Sequence, residues 1–150
     1  MKIALGSDHR GYDLKQRLTT LLAEMGAEVA DLGPHTKESC DYPDAAAAVA
    51  HAVAKGEVDR GILMCGTGIG MSITANKVPG IRAALCHDEL TAQLSRRHND
   101  ANILCLPADL LSEAQLREMT KVWLETGFEG GRHQRRVQKI SEVERDSCCE

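Results

Sequence analysis

The sequence predicts an α/β protein: a five-stranded parallel sheet in a Rossmann-like three-layer αβα sandwich. Three observations carry this reading. Short apolar runs alternate along the chain with longer amphipathic stretches of helical period. Strands and helices alternating at these lengths are βαβ units, which require a parallel sheet and right-handed crossovers. The 150 residues, 43% apolar and 27% charged, suit one ordinary globular domain with a sizeable core. No internal repeat, linker or low-complexity tract interrupts them. Residues 1–150 therefore read as a single domain, with a basic helix at about 132–145.

The elements follow in order. Lys2 to Gly6 is a first strand. Gly11 to Met25 carries Leu14, Leu18, Leu21, Leu22 and Met25 at helical spacing, and Gly26 is a stop. Ala27 to Leu32 is a second strand, ended by Gly33-Pro34, and His35 to Asp41 is a polar loop. Tyr42-Pro43-Asp44 opens an Ala-rich helix to about Lys55. Arg60 to Met64 is a third strand, Gly66 to Gly70 a glycine-rich turn, and a helix follows to about Lys77. Arg82 to Cys86 is a fourth strand. Asp88 to Arg97 is a helix whose acidic first turn suits the helix dipole. Asn102 to Leu106 is a fifth strand. Ser112 to Thr126 is a helix with Ser112 as N-cap. Gly127 to Gly131 breaks the chain before Arg132 to Arg145, a basic helical tail.

Composition narrows the function. Aromatics are 3% and the net charge is -4, which argues against a nucleic-acid stacking surface. No apolar run approaches the roughly 18 residues of a membrane span, and the start reads as a strand rather than a signal peptide. The cytoplasm is the expected location. The six cysteines include no C-x2-C pair, so a zinc knuckle is not expected. Cys86 and Cys105 read as buried small hydrophobes, Cys148 and Cys149 as exposed and incidental. His35 and His51 read as incidental too.

In open parallel sheets, ligands bind beyond the carboxyl ends of the strands. Asp8 and His9 follow the first strand there, Cys65 and its glycines the third, His87 and Asp88 the fourth. The strongest local pattern is Cys65-Gly66-Thr67-Gly68-Ile69-Gly70. Glycines let the backbone curl so that N–H groups point at one anion, and the following helix N-terminus favours negative charge. A thiol there is expected to have a lowered pKa. It could serve as a nucleophile or base beside an oxyanion site, or be a buried cysteine in a tight turn. A dinucleotide site does not fit, because the glycines follow the third strand and lack the G-x-G-x-x-G form. A P-loop is excluded by the missing G-K-[ST], and no G-x-S-x-G elbow or H-E-x-x-H spacing is present.

Three further patterns have two readings each. In Ser7-Asp8-His9-Arg10-Gly11, the carboxylate and imidazole could position a ligand, or Asp8 could cap the next helix. In Ser95-Arg96-Arg97-His98-Asn99-Asp100, His98 could be an acid or base near neutrality, or part of a polar helix end. On the basic tail, Arg132, Arg135 and Arg136 share a helix face and could fork onto a phosphate, or form a solvated face.

Together with Asp41-Tyr42-Pro43, Ala75-Asn76-Lys77 and Phe128-Glu129-Gly130-Gly131-Arg132-His133, these motifs make the chain, from about Lys2 to Ile140, resemble the type B ribose-5-phosphate isomerases and related sugar-phosphate isomerases. The resemblance implies a cofactor-free aldose–ketose isomerisation of ribose 5-phosphate and ribulose 5-phosphate. It implies Cys65 as base, Thr67 as its hydrogen-bonding partner, and the N–H groups from Gly66 through Gly68 and Ile69 to Gly70 as the enediolate hole. It further implies His98 and Asp8 as the ring-opening acid/base pair, His9, Arg132 and Arg136 as phosphate ligands, and Asn99 and Tyr42 as hydroxyl-orienting groups. Relatives of this kind are homodimers or homotetramers with a site shared between subunits, so the basic tail is expected to reach a neighbour. No metal or cofactor is implied.

One position departs. Many such proteins carry an arginine shortly after the fifth strand to help bind phosphate, whereas this chain reads Pro107-Ala108-Asp109-Leu110. Either that loop turns away or the phosphate sits differently, so another phosphorylated aldose or a tetrulose phosphate is an alternative substrate. Two other classes remain: a sugar-phosphate or nucleotide binding module without turnover, and a redox sensor at Cys65. The sensor lacks a resolving cysteine nearby in chain order.

Overall fold

The five strands among the described residues pair in parallel, in the order β2-β1-β3-β5-β4. They are β1 (Lys2–Ser7), β2 (Glu28–Asp31), β3 (Arg60–Cys65), β4 (Ala83–Leu85) and β5 (Ile103–Pro107). The helices among the described residues are α1 (Tyr12–Glu24), α2 (Tyr42–Ala54), α3 (Ile69–Ala75), α4 (Glu89–Asn99), α5 (Glu113–Glu125) and α6 (Arg132–Ser147). The structure, a computed structural model, describes residues 1–147, so Cys148 and Cys149 lie outside the described residues. The expected αβα architecture is present.

Alternate strand residues point to opposite faces, and the two cores divide that way. Ala4, Leu63, Cys65, Ile103 and Cys105 pack under α2 and α3. Ile3, Leu5, Ile62, Met64, Leu104 and Leu106 pack under Leu14, Leu18 and Leu22 of α1, Ala92 of α4, and Leu116, Met119 and Trp123 of α5. Strands covered on both faces read as continuous apolar runs. Accordingly β5 is buried throughout and lies inside the sheet, while Glu28–Asp31 and Ala83–Leu85 are only partly covered and form its edges.

Several boundaries shift for local reasons. β4 is shorter than expected because the Arg82 N–H donates to Asn102 Oδ1 at 2.8 Å instead of joining the ladder. α3 stops at Ala75 rather than Lys77. There the Asn76 side chain donates to the carbonyls of Ser72 and Ala83 and accepts the Ala83 N–H, each at 2.9 Å, clipping the helix to β4. α4 runs on to Asn99 rather than Arg97, ending where Asp100 takes a left-handed conformation (φ 47). Ser112 caps α5 as expected, accepting from the Gln115 N–H, and Asp88 does the same for α4 through the Thr91 N–H.

Candidate active site

The strand order reverses between β1 and β3, since β1 connects outward to β2 and the chain then returns to β3 on the other side. Beyond the carboxyl ends of two such strands the flanking connections diverge and leave a crevice, the usual ligand site of this architecture. A cavity of about 560 Å³ opens there, lined by Asp8, Arg10, Tyr42, Cys65, Thr67 and Asp109 together with the glycine turn, Ile69 and Ile73.

Cys65 is the last residue of β3, one residue further than expected, and its side chain is buried. Its Sγ accepts a hydrogen bond from the Gly68 N–H at 3.1 Å. Gly68 makes this possible by taking a left-handed conformation, φ 74, which a residue with a Cβ adopts only under strain. The turn thus folds the backbone N–H back over the thiol, and α3 starts at the next residue. Thr67 sits in the same turn and is exposed, but its Oγ1 accepts from the Ile69 N–H at 3.3 Å rather than bonding Cys65. A Cβ at Gly70 would overlap the Tyr42 ring, so the glycine leaves that ring room over the turn.

Asp8 orders the turn before α1 rather than capping the helix, whose N-cap Gly11 has no side-chain cap hydrogen bond. Its Oδ1 accepts the N–H groups of Arg10 and Gly11 at 2.9 Å each, holding the chain at the start of α1. Its Oδ2 has no hydrogen-bond partner among the described residues. His9 is half-buried and its Nδ1 accepts the Cys40 N–H at 3.4 Å, pinning the 35–41 loop; it does not line the cavity. The loop after β5 does not turn away. Ala108 and Asp109 donate their N–H groups to the carbonyls of Cys65 and Gly66, at 2.9 and 3.0 Å. Asp109 Oδ2 accepts from Nε of Arg10 and forms an ion pair with its Nη2, each at 2.5 Å.

The remaining expected site residues are elsewhere. α4 crosses from β4 to β5, which are parallel neighbours, so it runs antiparallel to them and ends at the opposite edge of the sheet. His98 and Asn99 form its last turn, where Arg82 Nε donates to the carbonyls of Asn99 and Asp100 at 3.0 Å. A strand of this length spans about 15–20 Å, which sets the separation from Cys65. Arg132 and Arg136 lie near His98, exposed on the first turns of α6, whose His133 and Val137 are buried. Within one chain, therefore, Asp8, Cys65, Thr67, Tyr42 and Gly66 to Gly70 come together. His98, Asn99, Arg132 and Arg136 form a second group and do not meet them. The direction of α4 in a βαβ unit was the signal that places His98 at the other edge.

That second group has partners the sequence did not reveal. The rings of His98 and His133 stack, 4.1 Å between centroids and 7° from parallel. Glu129 Oε2 lies 3.8 Å from His98 Nε2 and 3.5 Å from His133 Nε2. Arg97 clamps the other oxygen of Glu129 and holds its carboxyl below the usual range. Burial pushes His133 below the usual histidine range, and the charge of His98 adds to this. The donor atoms of His98, Glu129 and His133 lie within 4.8 Å of one another, a type of set that suits zinc. The geometry does not: imidazole lone pairs lie in the ring planes, and parallel stacked rings do not converge them on one ion.

Cys105 lies on the same face of the sheet as Cys65 but two residues back in register, since Cys65 pairs with Pro107. That diagonal is about 8 Å between Cα atoms, too far for a disulfide. Burial also pushes the Cys105 thiol well up. Cys105 is therefore not a resolving partner for Cys65.

The profile of the Ribose/Galactose Isomerase family matches residues 3–140. Ribose-5-phosphate isomerase B of Escherichia coli is 49% identical over 143 residues, 95% of this chain and 96% of that protein. Among solved structures, the Clostridium thermocellum ribose-5-phosphate isomerase B superposes with a TM-score of 0.97 at 52% identity, covering 98% of this chain and 99% of that one. The Mycoplasma genitalium enzyme, solved with bound ribulose-5-phosphate, gives 0.93 at 43% identity and 96% coverage of each. A profile match spanning nearly the whole chain, with the glycine turn and its cysteine at the switch-point cavity, leads to one conclusion: the chain belongs to the ribose/galactose isomerase family.

Proposed function

We propose that the protein interconverts ribose 5-phosphate and ribulose 5-phosphate without a cofactor, as a homodimer or a pair of dimers in which each site joins two half-sites. The observation that carries this is Cys65, held at the floor of the switch-point cavity under the Gly68 N–H, in a chain of this family.

The chemistry asks for a base and an anion hole. Removing the proton from C2 of the open-chain aldose leaves an enediolate; a proton passes from O2 to O1, and returning the first proton at C1 gives the ketose. The Cys65 thiolate takes and returns that proton. The turn from Gly66 through Gly68 and Ile69 to Gly70 supplies the N–H groups for the developing oxyanion, where preorganised donors count most. Thr67 borders the base, and Tyr42 orients hydroxyls. Asp8 opens the sugar ring with His98 of the second copy, and Asn99 of that copy holds a hydroxyl. His9 and the basic face of Arg132 and Arg136 bind the phosphate. Separation of the two groups by the height of the sheet favours this assembly, because a second copy is the simplest way to unite them. In this reading the 150 residues act as one domain, in the cytoplasm. Another phosphorylated aldose or a tetrulose phosphate is the second reading, favoured by the carboxylate of Asp109 in the cavity.

The test is turnover of ribose 5-phosphate by purified protein in chelator, beside Cys65→Ala. We expect ketose formation by the wild type and a loss of about 10²–10⁴-fold in the variant, with sugar-phosphate binding retained. Full activity in the variant removes Cys65 as base and leaves a binding role for the turn. Absence of turnover by the wild type overturns the assigned substrate.

A further inference from the structure

We propose that Arg10 is a ligand for the substrate's phosphate and that Asp109 restrains it, so that the pair sets how strongly the protein prefers phosphorylated over unphosphorylated sugar. This rests on the isomerase reading and deepens it, since neither residue has a role in it so far.

Among the described residues, Arg10 is the cationic side chain lining the cavity that holds Cys65 and Asp8. Its side chain is more than half exposed, so a ligand can reach it. Asp109 engages it side-on through Nε and Nη2. A guanidinium has five donors in a rigid plane. The side-on contact leaves its end edge, Nη1 and the outer hydrogen of Nη2, for a second forked acceptor. That edge matches two oxygens of a phosphate. The carboxylate therefore orients the fork and fixes its plane.

The pair is also fixed in place. Asp109 is tied through its own N–H to the carbonyl of Gly66. A Cβ on Gly66 would lie 2.6 Å from Asp109 Oδ2 and 3.0 Å from Arg10 Nε. The guanidinium and carboxylate thus lie across the bare backbone of the turn that carries Cys65, in space that only glycine leaves open. Orientation has an electrostatic cost, because Asp109 brings a negative charge close to an incoming dianion. The chain accepts phosphate here with its affinity held down.

Inorganic phosphate is the probe, its dissociation constant measured by calorimetry alongside kcat/KM for ribose 5-phosphate and for ribose. Asp109→Asn keeps an oxygen for Arg10 and removes the charge. We expect it to tighten phosphate about three- to tenfold, the effect of deleting one charge a few ångström away in a solvated site, and to raise the ribose 5-phosphate to ribose ratio. Arg10→Gln should weaken phosphate at least about tenfold and lower that ratio. Arg10→Lys, which keeps the charge without the fork, should fall between, and circular dichroism checks that each variant is folded. Unchanged phosphate affinity in Arg10→Gln, or no tightening in Asp109→Asn, overturns the inference. If the wild type turns over ribose 5-phosphate while the variants match it, only this inference fails. If it turns over neither sugar yet the variants shift phosphate as stated, the isomerase reading fails and the anion site stands.

Discussion

The rings of His98 and His133 lie face to face, 4.1 Å between centroids, although 35 positions separate them in the chain. Glu129 reaches both through one oxygen and is clamped by Arg97 through the other. The cluster joins the end of α4 to the start of α6, and it fixes where the basic face of α6 is carried.

This stack makes stability depend on pH. Burial, helped by the charge of His98, puts the pKa of His133 below its unfolded value near 6.5. A depressed pKa means that the unfolded chain binds the proton more readily. The contribution of His133 is then fully present above about pH 6.5 and lost as pH falls through its folded value. Thermal midpoints taken between pH 7.5 and 5.5 should decline for the wild type and decline less for His133→Gln. Parallel curves for the two proteins would remove His133 as the source.

A site shared between copies predicts complementation. Cys65→Ala and His98→Asn should each be inactive alone. Co-refolded in equal amounts, half the dimers are mixed, and each mixed dimer carries one intact site. Activity should return to about a quarter of the wild-type value. No recovery, with mixed dimers demonstrated by mass spectrometry, would mean that the two residues act from one chain or not together.

Gly68 should tolerate no side chain. Alanine there must hold a left-handed φ of 74, and its Cβ would sit 2.5 Å from Leu85 Cδ1. We expect Gly68→Ala to cost about 1–2 kcal/mol of stability from the backbone alone and to lower kcat about tenfold or more as the N–H leaves Cys65. Urea unfolding and steady-state kinetics separate the two effects. Wild-type kcat would show that the contact between Gly68 and Cys65 is dispensable.

The element pattern was legible because it is written in short-range chemistry. Leu14, Leu18, Leu21 and Leu22 recur at the helical period and are the buried face of α1. Ser112 caps the helix it precedes. The meeting of Asp8 and Cys65 at one cavity was legible for a related reason. Both stand at the carboxyl ends of strands in a parallel sheet, and those ends share one side whatever the strand order.

Three things were settled by tertiary structure. Sheet order depends on how well each strand is covered on both faces, which periodicity within one strand does not state; β5 came to lie inside and β4 at the edge. The pairing of Arg10 with Asp109 spans 99 positions, and turns the departure after β5 from an isolated acid into half of an ion pair. The division of the expected site into two groups follows from the direction of α4, which carries His98 away from the edge where Cys65 ends β3. Local pattern decides what each segment becomes. Crossover direction and packing decide which segments' side chains meet, because those contacts join residues whose separation along the chain bears no relation to their distance in space.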